Sequence, residues 1–447
     1  MRKRSYYQVL FFLLIFSTTT MGCLSCNNSK SDTGEKSEQF SENQEVATPE
    51  PIPPYHPETV TTGEWAQWRG PNRDGISQET GLLKSWPENG PKELWRIPLG
   101  KGFSGMSITK EGRLYTMFSI EDDAFVGCFD AASGKEIWRV PIGENFSDSH
   151  GDGPRGTPTV HDGVVYLFTA YAKVYALDAE TGQELWTHDL ATKFKAQIPR
   201  WGFSSSLLVE GDVILVETAG LDGHLFMGLD KKSGEIVWKS QNGVAGYSSP
   251  IGVTIGGVRQ IIFFVGDKIM SISPTDGTLY WEKKWETDYK CNIATPIFIP
   301  PNKIFISSGY GEGSAMFQVD VQGKNVTASS LWETKKMRNH MSSCVRYENY
   351  LYGFDEKVLK CISVTDGKEK WKKKGFGKGS LVLADGLLII FGDDGDLALA
   401  EVTPVEYREK SAVKVLDDLC WTRPSLADGK LYLRNMEEMV CLDIREP

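Results

Sequence analysis

Residues 178–186 read DAETGQELW, and this stretch carries the pattern that decides the fold. Its Asp is followed, after two residues, by Thr-Gly, and a Trp stands four residues beyond the Gly. The same spacing recurs along the chain, with related polar residues at the Asp and Thr positions and with one stretched copy. The copies end at Trp138, Trp186, Trp238, Trp281, Trp332 and Trp371. A spacing that recurs in this way indicates an internal structural repeat.

A second marker runs in step with the first. Short apolar stretches are split by a Gly or an Asn at intervals that average about 45 residues. Both residue types accept the positive φ that a tight β-hairpin requires. These positions are Gly112, Gly163, Gly211, Gly257, Asn302, Asn349, Gly386 and Gly429. They predict eight repeat units with a hairpin at this point in each.

Each unit is predicted to contain four β-strands. In the second unit, apolar and alternating runs predict strands over 157–160, 164–168, 174–177 and 184–188. Four strands in a repeat of this length are typical of a propeller blade. Helical repeats of similar length would need amphipathic runs of about ten or more residues, which the sequence lacks.

The recurring turn has a local structural explanation. Its Asp and its Ser or Thr are expected to bind backbone amides within the turn, while the Gly takes a left-handed conformation. The Trp that follows is expected to cover the junction with the next blade and to bury a large apolar surface there.

The two ends of the repeat region complete each other. Residues 93–97, around Trp95, have the pattern of a fourth strand with no blade in front of it. Residues 440–443 have the pattern of a third strand with nothing after it. Pairing the two would close the ring and remove the edges that an open sheet exposes. The sequence therefore predicts an all-β, eight-bladed propeller over residues 64–447.

The N-terminal segment is predicted to be a targeting sequence. Residues 1–22 combine a basic start with an apolar run over 9–16, which is too short to span a bilayer. Thr20-Met21-Gly22-Cys23 resembles a bacterial lipobox and predicts lipidation of Cys23. The polar, Pro-rich remainder of 23–63 predicts a disordered tether. Leu24 after the lipidated residue favours an outer-membrane anchor on the periplasmic face of the envelope.

Composition excludes several function classes. The chain has 49 basic and 59 acidic residues, a formal net charge of −10, which argues against a nucleic-acid-binding surface. Its 45 Gly and 13 Trp do not suit a helical coiled coil. The sequence also lacks the HExxH, GxSxG and phosphate-loop motifs of common hydrolases and nucleotide-binding proteins.

Four motifs outside the repeat carry a family resemblance. They are WAQWRGPNRDG at 65–75, GDGPRGTP at 151–158, RNH at 338–340 and CWTRP at 420–424. Together with the Trp repeat they resemble the PQQ-like (pyrroloquinoline quinone) propeller proteins. This group is related to quinoprotein alcohol dehydrogenases and to the outer-membrane-assembly lipoprotein BamB.

The resemblance implies two different functions, and a third follows from the fold. A BamB-like protein would be a scaffold that binds other envelope proteins. A quinoprotein would be a dehydrogenase that uses PQQ with calcium and a carboxylate base, for which Asp152 is the nearest candidate. Quinoprotein alcohol dehydrogenases characteristically have two adjacent cysteines, which this chain lacks, so a non-enzymatic role is favoured. A propeller with an aromatic mouth could also bind or process carbohydrate.

The central funnel is the predicted ligand site. The segments that lead into the innermost strands should lie at one mouth of the axial channel. They contain Arg155, Trp201, Asn339, His340, Trp421 and Arg423. Aromatic faces with cationic groups would suit a planar anionic ligand such as a quinone tricarboxylate. The alternative is that these side chains only pack and cap the channel mouth.

Cysteines and possible metal ligands have structural explanations. Three cysteines precede the repeat's Asp or Ser by two residues and predict a small buried strand position, namely Cys128, Cys361 and Cys441. Three others near inner strands leave a disulfide open in an oxidising envelope, namely Cys291, Cys344 and Cys420. Residues 148–153 partly resemble a calcium loop but lack its middle and closing acidic ligands, so no metal ligand is predicted.

Overall fold

Thirty-three strands form eight sheets in the computed structural model, which describes residues 62–220 and 222–447. Each sheet is one blade of a propeller, and the predicted eight-bladed all-β fold is confirmed. The predicted signal sequence, Cys23 and the tether up to residue 61 lie outside the described residues.

Two strands precede the first complete blade, β1 (Ile76–Ser77) and β2 (Lys92–Pro98). Blade 1 contains β3 (Ser107–Ile108), β4 (Arg113–Ile120), β5 (Asp123–Asp130) and β6 (Glu136–Glu144). Blade 2 contains β7 (Thr159–His161), β8 (Val164–Phe168), β9 (Lys173–Asp178) and β10 (Glu184–Asp189). Blade 3 contains β11 (Leu208–Glu210), β12 (Val213–Glu217), β13 (Phe226–Asp230) and β14 (Ile236–Ser240). The short helix α1 (Leu190–Phe194) follows β10.

Blade 4 contains β15 (Ile251–Ile255), β16 (Val258–Val265), β17 (Lys268–Ile272) and β18 (Leu279–Lys284). Blade 5 contains β19 (Ile297–Ile299), β20 (Lys303–Ser308), β21 (Gly313–Gln322) and β22 (Asn325–Thr334). Blade 6 contains β23 (Val345–Tyr347), β24 (Tyr350–Asp355), β25 (Val358–Ser363) and β26 (Glu369–Lys373). A 3-10 turn (Asp288–Lys290) follows β18. None of the helices in the described part of the chain has the length and apolar character needed to cross a membrane.

Blade 7 contains β27 (Ser380–Ala384), β28 (Leu387–Phe391), β29 (Asp396–Glu401) and β30 (Glu409–Lys414). Blade 8 contains β31 (Ser425–Ala427), β32 (Lys430–Arg434) and β33 (Glu438–Asp443), and β2 is its outermost strand. Trp95 of β2 pairs with Cys441 of β33 in an antiparallel ladder. The N-terminal strand therefore completes the C-terminal blade, and the predicted ring closure is confirmed. In the second unit the four predicted strands match β7 to β10 to within two residues at each end.

The repeated Trp joins each blade to the next. Trp138 Nε1 donates to the carbonyl oxygen of Ala179 at 3.2 Å, in the turn that leads to the outermost strand of blade 2. Gly182 of that turn packs on the same ring, and a Cβ at Gly182 would lie 2.9 Å from it. Equivalent indole hydrogen bonds are made by Trp95, Trp186, Trp238, Trp332 and Trp371. The Gly is therefore required both for its positive φ and for close contact with the Trp.

Trp281 is the exception, because the blade after it lacks the compact turn. Its indole donates instead to Gln260 Oε1 within its own blade, at 3.2 Å. In blade 5 the β21–β22 ladder continues through Asp320 as far as Gln322 and Asn325, so no turn carbonyl is presented at that level. The stretched repeat in the sequence corresponds to this longer hairpin.

The prediction of a left-handed hairpin residue is right at the six glycines and wrong at Asn302 and Asn349. All six glycines have positive φ, whereas neither Asn does. At the second site the left-handed residue lies one position earlier, at Glu348, with φ of 50°. At the first, Pro300 and Pro301 precede the Asn, and a proline ring holds φ negative.

Every blade has a β-bulge in its outermost strand, immediately before the repeated Trp or its replacement, Ser411. The bulged residues are Leu94, Ile137, Leu185, Val237, Tyr280, Leu331, Lys370 and Lys410. Because a bulge changes the direction of a side chain, the Trp can face the next blade while the residue before it faces outwards.

Candidate functional site

The axial channel is closed from one side by residues 65–79, here called the axial plug. The plug makes contacts to the inner part of seven blades, through the pairs Trp65–Ile108, Ala66–Val160, Arg73–Ser206, Trp68–Thr295, Arg69–Cys344, Ile76–Leu383 and Glu79–Asp428. Strand β1 within it adds a parallel edge strand to β27. The plug contains the WAQWRGPNRDG motif, which thus has a structural role in filling the axis.

A cavity of about 150 Å³ lies at the other mouth of the channel, and Trp68 of the plug forms its floor. The walls come mainly from the segments that lead into the innermost strands. The lining includes Trp68, Phe103, Asp148, His150, Arg155, Trp201, Tyr247, Cys291, Tyr310, His340, Trp421 and Arg423. This space is called the mouth cavity.

Five of the six predicted funnel residues line the mouth cavity, namely Arg155, Trp201, His340, Trp421 and Arg423. Asn339 does not. Its side chain is buried within blade 6, where Nδ2 donates to the carbonyl oxygen of Phe354 at 2.8 Å and Oδ1 accepts from Cys344 Sγ at 3.0 Å. The repeat phase predicted the right segment, and the structure assigns its cavity-facing side chain to His340.

Asp152 lies outside the lining of the mouth cavity. Its carboxylate pairs with Lys101 Nζ at 2.8 Å and accepts from Ser147 Oγ at 2.5 Å. The hydrogen bond from Lys101 is the main reason that the pKa of Asp152 is lowered. The role of Asp152 as a catalytic base stays a prediction. Its contacts with Lys101 and Ser147 give this carboxylate a structural role.

Several lining residues were not predicted from the sequence. Tyr247 leads into β15 as Trp201 leads into β11, so the repeat phase could have indicated it. Trp68 lies in the motif that carries the family resemblance, and His150 lies in the loop that partly resembles a calcium site. Tyr310 follows the second strand of blade 5, and no signal in the sequence points to it.

Both arginines of the lining already donate to groups of the protein, although Arg423 Nε has no hydrogen-bond partner among the described residues. Arg155 donates to Asp148 Oδ2 at 2.6 Å and to the carbonyl oxygen of Gly153 at 2.5 Å. Arg423 is buried and donates to the carbonyl oxygens of Leu381 and Ser343 at 3.0 and 3.3 Å. Burial lowers the pKa of both guanidinium groups.

His340 presents a neutral imidazole to the cavity. Burial, followed by the charges of Lys378 and His150, lowers the pKa of His340 to about 4. Its Nε2 has no hydrogen-bond partner among the described residues. Its Nδ1 is 3.5 Å from Glu356 Oε2, without the geometry of a hydrogen bond. Trp421 Nε1, also buried, likewise lacks a partner among the described residues.

The donor set of the cavity does not fit calcium. Ca²⁺ takes six to eight oxygen ligands, usually including several carboxylates. Asp148 is the one carboxylate among the described lining residues, and it is paired with Arg155. Across residues 62–220 and 222–447, no group of three or more His, Cys, Asp or Glu side chains could hold a metal ion.

The lining does not fit the tricarboxylate of PQQ either, because Arg155 is paired with Asp148 and Arg423 is the one cation of the described lining without a carboxylate partner. Two further cations lie outside the lining, with Arg200 over the Trp201 ring at 5.3 Å and Lys378 over the Trp421 ring at 5.9 Å. The six cysteines of the described part of the chain are buried free thiols, so the disulfide left open above is not formed among them.

Comparisons with known proteins agree with this architecture. A family model described as outer membrane protein assembly factor BamB matches residues 122–373, more than half of the chain. The BamB crystal structure from Moraxella catarrhalis covers 79% of this chain and 99% of its own, at 15% identity and a TM-score of 0.58. The quinohemoprotein alcohol dehydrogenase ADHIIG from Pseudomonas putida HK5 covers 86% of this chain and 80% of its own, at 11% identity and a TM-score of 0.61.

Among curated proteins, the quinoprotein alcohol dehydrogenase PedH of Pseudomonas putida is 32% identical over 137 residues, which is 29% of this chain and 22% of that protein. The quinohemoprotein alcohol dehydrogenase ADH IIB of Pseudomonas putida is 37% identical over 91 residues, 20% of this chain and 13% of that protein. The chain thus spans about a fifth or less of the length of these relatives, whereas the BamB family model covers most of its blades. The chain belongs to the family of the outer membrane protein assembly factor BamB.

Proposed function

We propose that this protein is a non-enzymatic scaffold of the cell envelope that binds other proteins through the circumference of its propeller. Membership of the BamB family supports an assembly role, since that family is named for outer membrane protein assembly. The mouth cavity supports it indirectly, because its donor set fits neither PQQ nor calcium.

The observation that carries the proposal is the pattern of bulged residues on the outermost strands. Four of them are apolar and between 41% and 55% exposed, namely Ile137, Leu185, Val237 and Leu331, here called the apolar rim. In blades 6 and 7 the same position holds Lys370 and Lys410. Lysine on an edge strand discourages pairing with another chain. Blades 1, 2, 3 and 5 lack this lysine, so their outermost strands are open to pairing with a partner.

The rim suits an extended apolar segment of a partner protein. Outermost strands present unpaired backbone groups, and a partner strand can add to such an edge through main-chain hydrogen bonds. The exposed side chains of the apolar rim would then supply apolar contacts beside the new strand. The bulge interrupts the edge at one point, so each blade would offer a short pairing segment rather than a continuous one.

The N-terminal sequence supplies the proposed location. Export through residues 1–22, lipidation of Cys23 and the tether up to residue 63 would hold the propeller near a membrane on the periplasmic side, with the outer membrane favoured by Leu24. Mass spectrometry of the mature protein from membranes would detect the lipid on Cys23. A soluble mature protein that starts at another residue would contradict this part of the proposal.

Site-specific photo-crosslinking tests the rim. A photoreactive residue at Val237 in the full-length chain, activated in intact cells, should yield a discrete adduct with a protein partner. The same residue at Lys370 is the matched control, because it occupies the equivalent bulge of blade 6. The variant V237K, which copies the natural lysine of blades 6 and 7, should remove the adduct that a photoreactive residue at Lys239 of the same strand forms, without loss of fold.

Two results would overturn the scaffold proposal. One is an adduct of equal yield from position 370, which would show contact without selectivity for the apolar rim. The other is an adduct from position 239 that persists unchanged in V237K. Far-ultraviolet circular dichroism and thermal unfolding of V237K show whether a lost adduct reflects a lost fold.

A further inference from the structure

We propose that the mouth cavity is a binding site for a neutral carbohydrate, with one sugar ring held inside it. This ligand site is independent of the apolar rim, which lies on the circumference, so either proposal can fail without the other.

Aromatic rings surround the mouth almost continuously. Centroid distances between neighbours run from 4.8 to 6.5 Å along Phe103, Trp421, His150, Trp201, Tyr289, Tyr310 and His340. The series leads from Tyr289, which is 58% exposed, to the His340 side chain, which is only 10% exposed. This aromatic collar gives a flat-faced ligand a path from solvent into the cavity.

Most neighbours in the collar meet edge to face rather than stack on one another. The interplanar angle is 89° between His150 and Trp201, and 79° between Tyr310 and His340. Only Phe103 and Trp421 form a stacked pair, at 5.6 Å and 30°. An edge-to-face contact covers a face of only one of the two rings, and Arg200 and Lys378 lie over one face of Trp201 and of Trp421, so the faces left to a ligand are those not covered in either way.

Three residues of the cavity wall have buried polar atoms without a hydrogen-bond partner among the described residues, namely Trp421 at Nε1, His340 at both ring nitrogens and Arg423 at Nε. Trp421 Nε1 can only donate a hydrogen bond, whereas a neutral imidazole offers one donor and one acceptor. An unsatisfied buried polar group costs about 1 to 3 kcal/mol, so a ligand that bonds to it gains affinity. Hydroxyl groups both donate and accept, so a polyhydroxylated ring can satisfy Trp421 Nε1 and His340 Nε2 in either tautomer.

Charge separates a sugar from an anionic quinone. Asp148 and Arg155 neutralise each other at 2.6 Å, so Arg423, which already donates to two backbone carbonyls, is the one cation of the described lining left for the three carboxylates of a quinone. An apolar cavity of about 150 Å³ holds one ring of the size of benzene. The mouth cavity, at about 150 Å³ and open to solvent on one side, therefore has room for one six-membered ring inside it.

The test is a titration of the purified mature chain with glucose, N-acetylglucosamine and cellobiose, followed by intrinsic Trp fluorescence and by saturation-transfer NMR. At least one of these should bind with a dissociation constant of about 1 mM or lower. Trp421→Phe keeps one aromatic ring but removes the indole N–H together with the five-membered ring that carries it, and should weaken binding by about tenfold. His340→Phe should have a similar effect.

Trp86→Phe is the matched control. Trp86 Nε1 is also buried and without a hydrogen-bond partner among the described residues, but Trp86 lies outside the lining of the cavity. Its replacement should leave sugar binding unchanged. Failure of all three sugars to bind at millimolar concentration would overturn the proposal. So would sugar binding that Trp421→Phe and Trp86→Phe reduce equally, or PQQ binding that is lost in Trp421→Phe while no sugar binds.

Discussion

Trp95 Nε1 donates a hydrogen bond of 3.0 Å to the carbonyl oxygen of Ala131, and this contact joins the two ends of the repeat region. Trp95 lies on β2, which completes blade 8, whereas Ala131 lies in the turn of blade 1. The strand that closes the ring therefore also makes the same blade-to-blade contact that Trp138 makes between blades 1 and 2. The closure seam has the construction of an ordinary blade junction.

We predict that Gly134→Ala destabilises the fold more than Gly112→Ala. Both glycines have positive φ, of 72° and 76°, so both substitutions carry a similar backbone penalty of about 1 to 2 kcal/mol. A Cβ at Gly134 would lie 2.9 Å from the Trp95 ring, whereas nothing lies within 4 Å of one at Gly112. The clash should cost about 1 to 3 kcal/mol more, measured by urea unfolding. Equal losses would show that the Trp contact tolerates the methyl group.

The blades could be predicted from the sequence because their signals are local. The turn from Asp178 to Gly182 closes on itself, with Asp178 Oδ1 accepting from the Thr181 amide at 2.8 Å, and its partner Trp lies one repeat away. Repetition then gives the number of blades and the closure of the ring. Asn302 and Asn349 show the limit, since the type of residue at a hairpin does not fix which position takes the left-handed conformation.

The axial plug could not be predicted in the same way, because its contacts are not repeated. Trp68 Nε1 donates to Thr295 Oγ1 across 227 residues, and Arg69 reaches the carbonyl oxygen of Cys344 across 275. No periodicity connects such pairs. The mouth cavity could be predicted only in part for the same reason. Repeat phase indicates Trp201 and Trp421, but it does not indicate Tyr310, and it does not decide whether Asn339 or His340 faces the cavity.

We predict that Glu79 fastens the axial plug to blade 8. Its carboxylate accepts from the amides of Asp428 and Gly429, in the hairpin between β31 and β32, and from the amide of Gly63. Glu79→Ala should leave buried amides without partners and cost about 2 to 3 kcal/mol in urea unfolding. Glu79→Gln keeps one acceptor oxygen and should cost less. Glu88→Ala, an exposed change ahead of β2, is the control and should be nearly neutral. Equal stability of all three variants would contradict the anchoring role.

We predict that PQQ with Ca²⁺ does not bind in the mouth cavity. Arg155 is neutralised by Asp148, so Arg423 is the one unpaired cation of the described lining, and at least two of the three carboxylates of the quinone would enter without a partner there. Titration with micromolar quinone and millimolar Ca²⁺ should leave the Trp fluorescence unchanged beyond the absorbance of the quinone itself. Quenching that saturates, and that disappears in Trp201→Leu, would contradict the prediction and restore a quinoprotein function.

Glu217 should make the stability of the propeller depend on pH. It is buried at the end of β12, and burial raises its pKa to about 8, against a usual value near 4.5, although Oε1 accepts from the Gly246 amide at 2.8 Å. The folded chain therefore holds a proton that the unfolded chain releases, so the contribution is full below about pH 4.5 and is lost as pH rises towards 8. Glu217→Gln keeps the acceptor and cannot ionise. Thermal unfolding of both proteins from pH 5 to pH 8 should show the wild type losing stability relative to the variant, by at most about 1.4 kcal/mol per pH unit. Parallel curves would mean that Glu217 does not carry this proton.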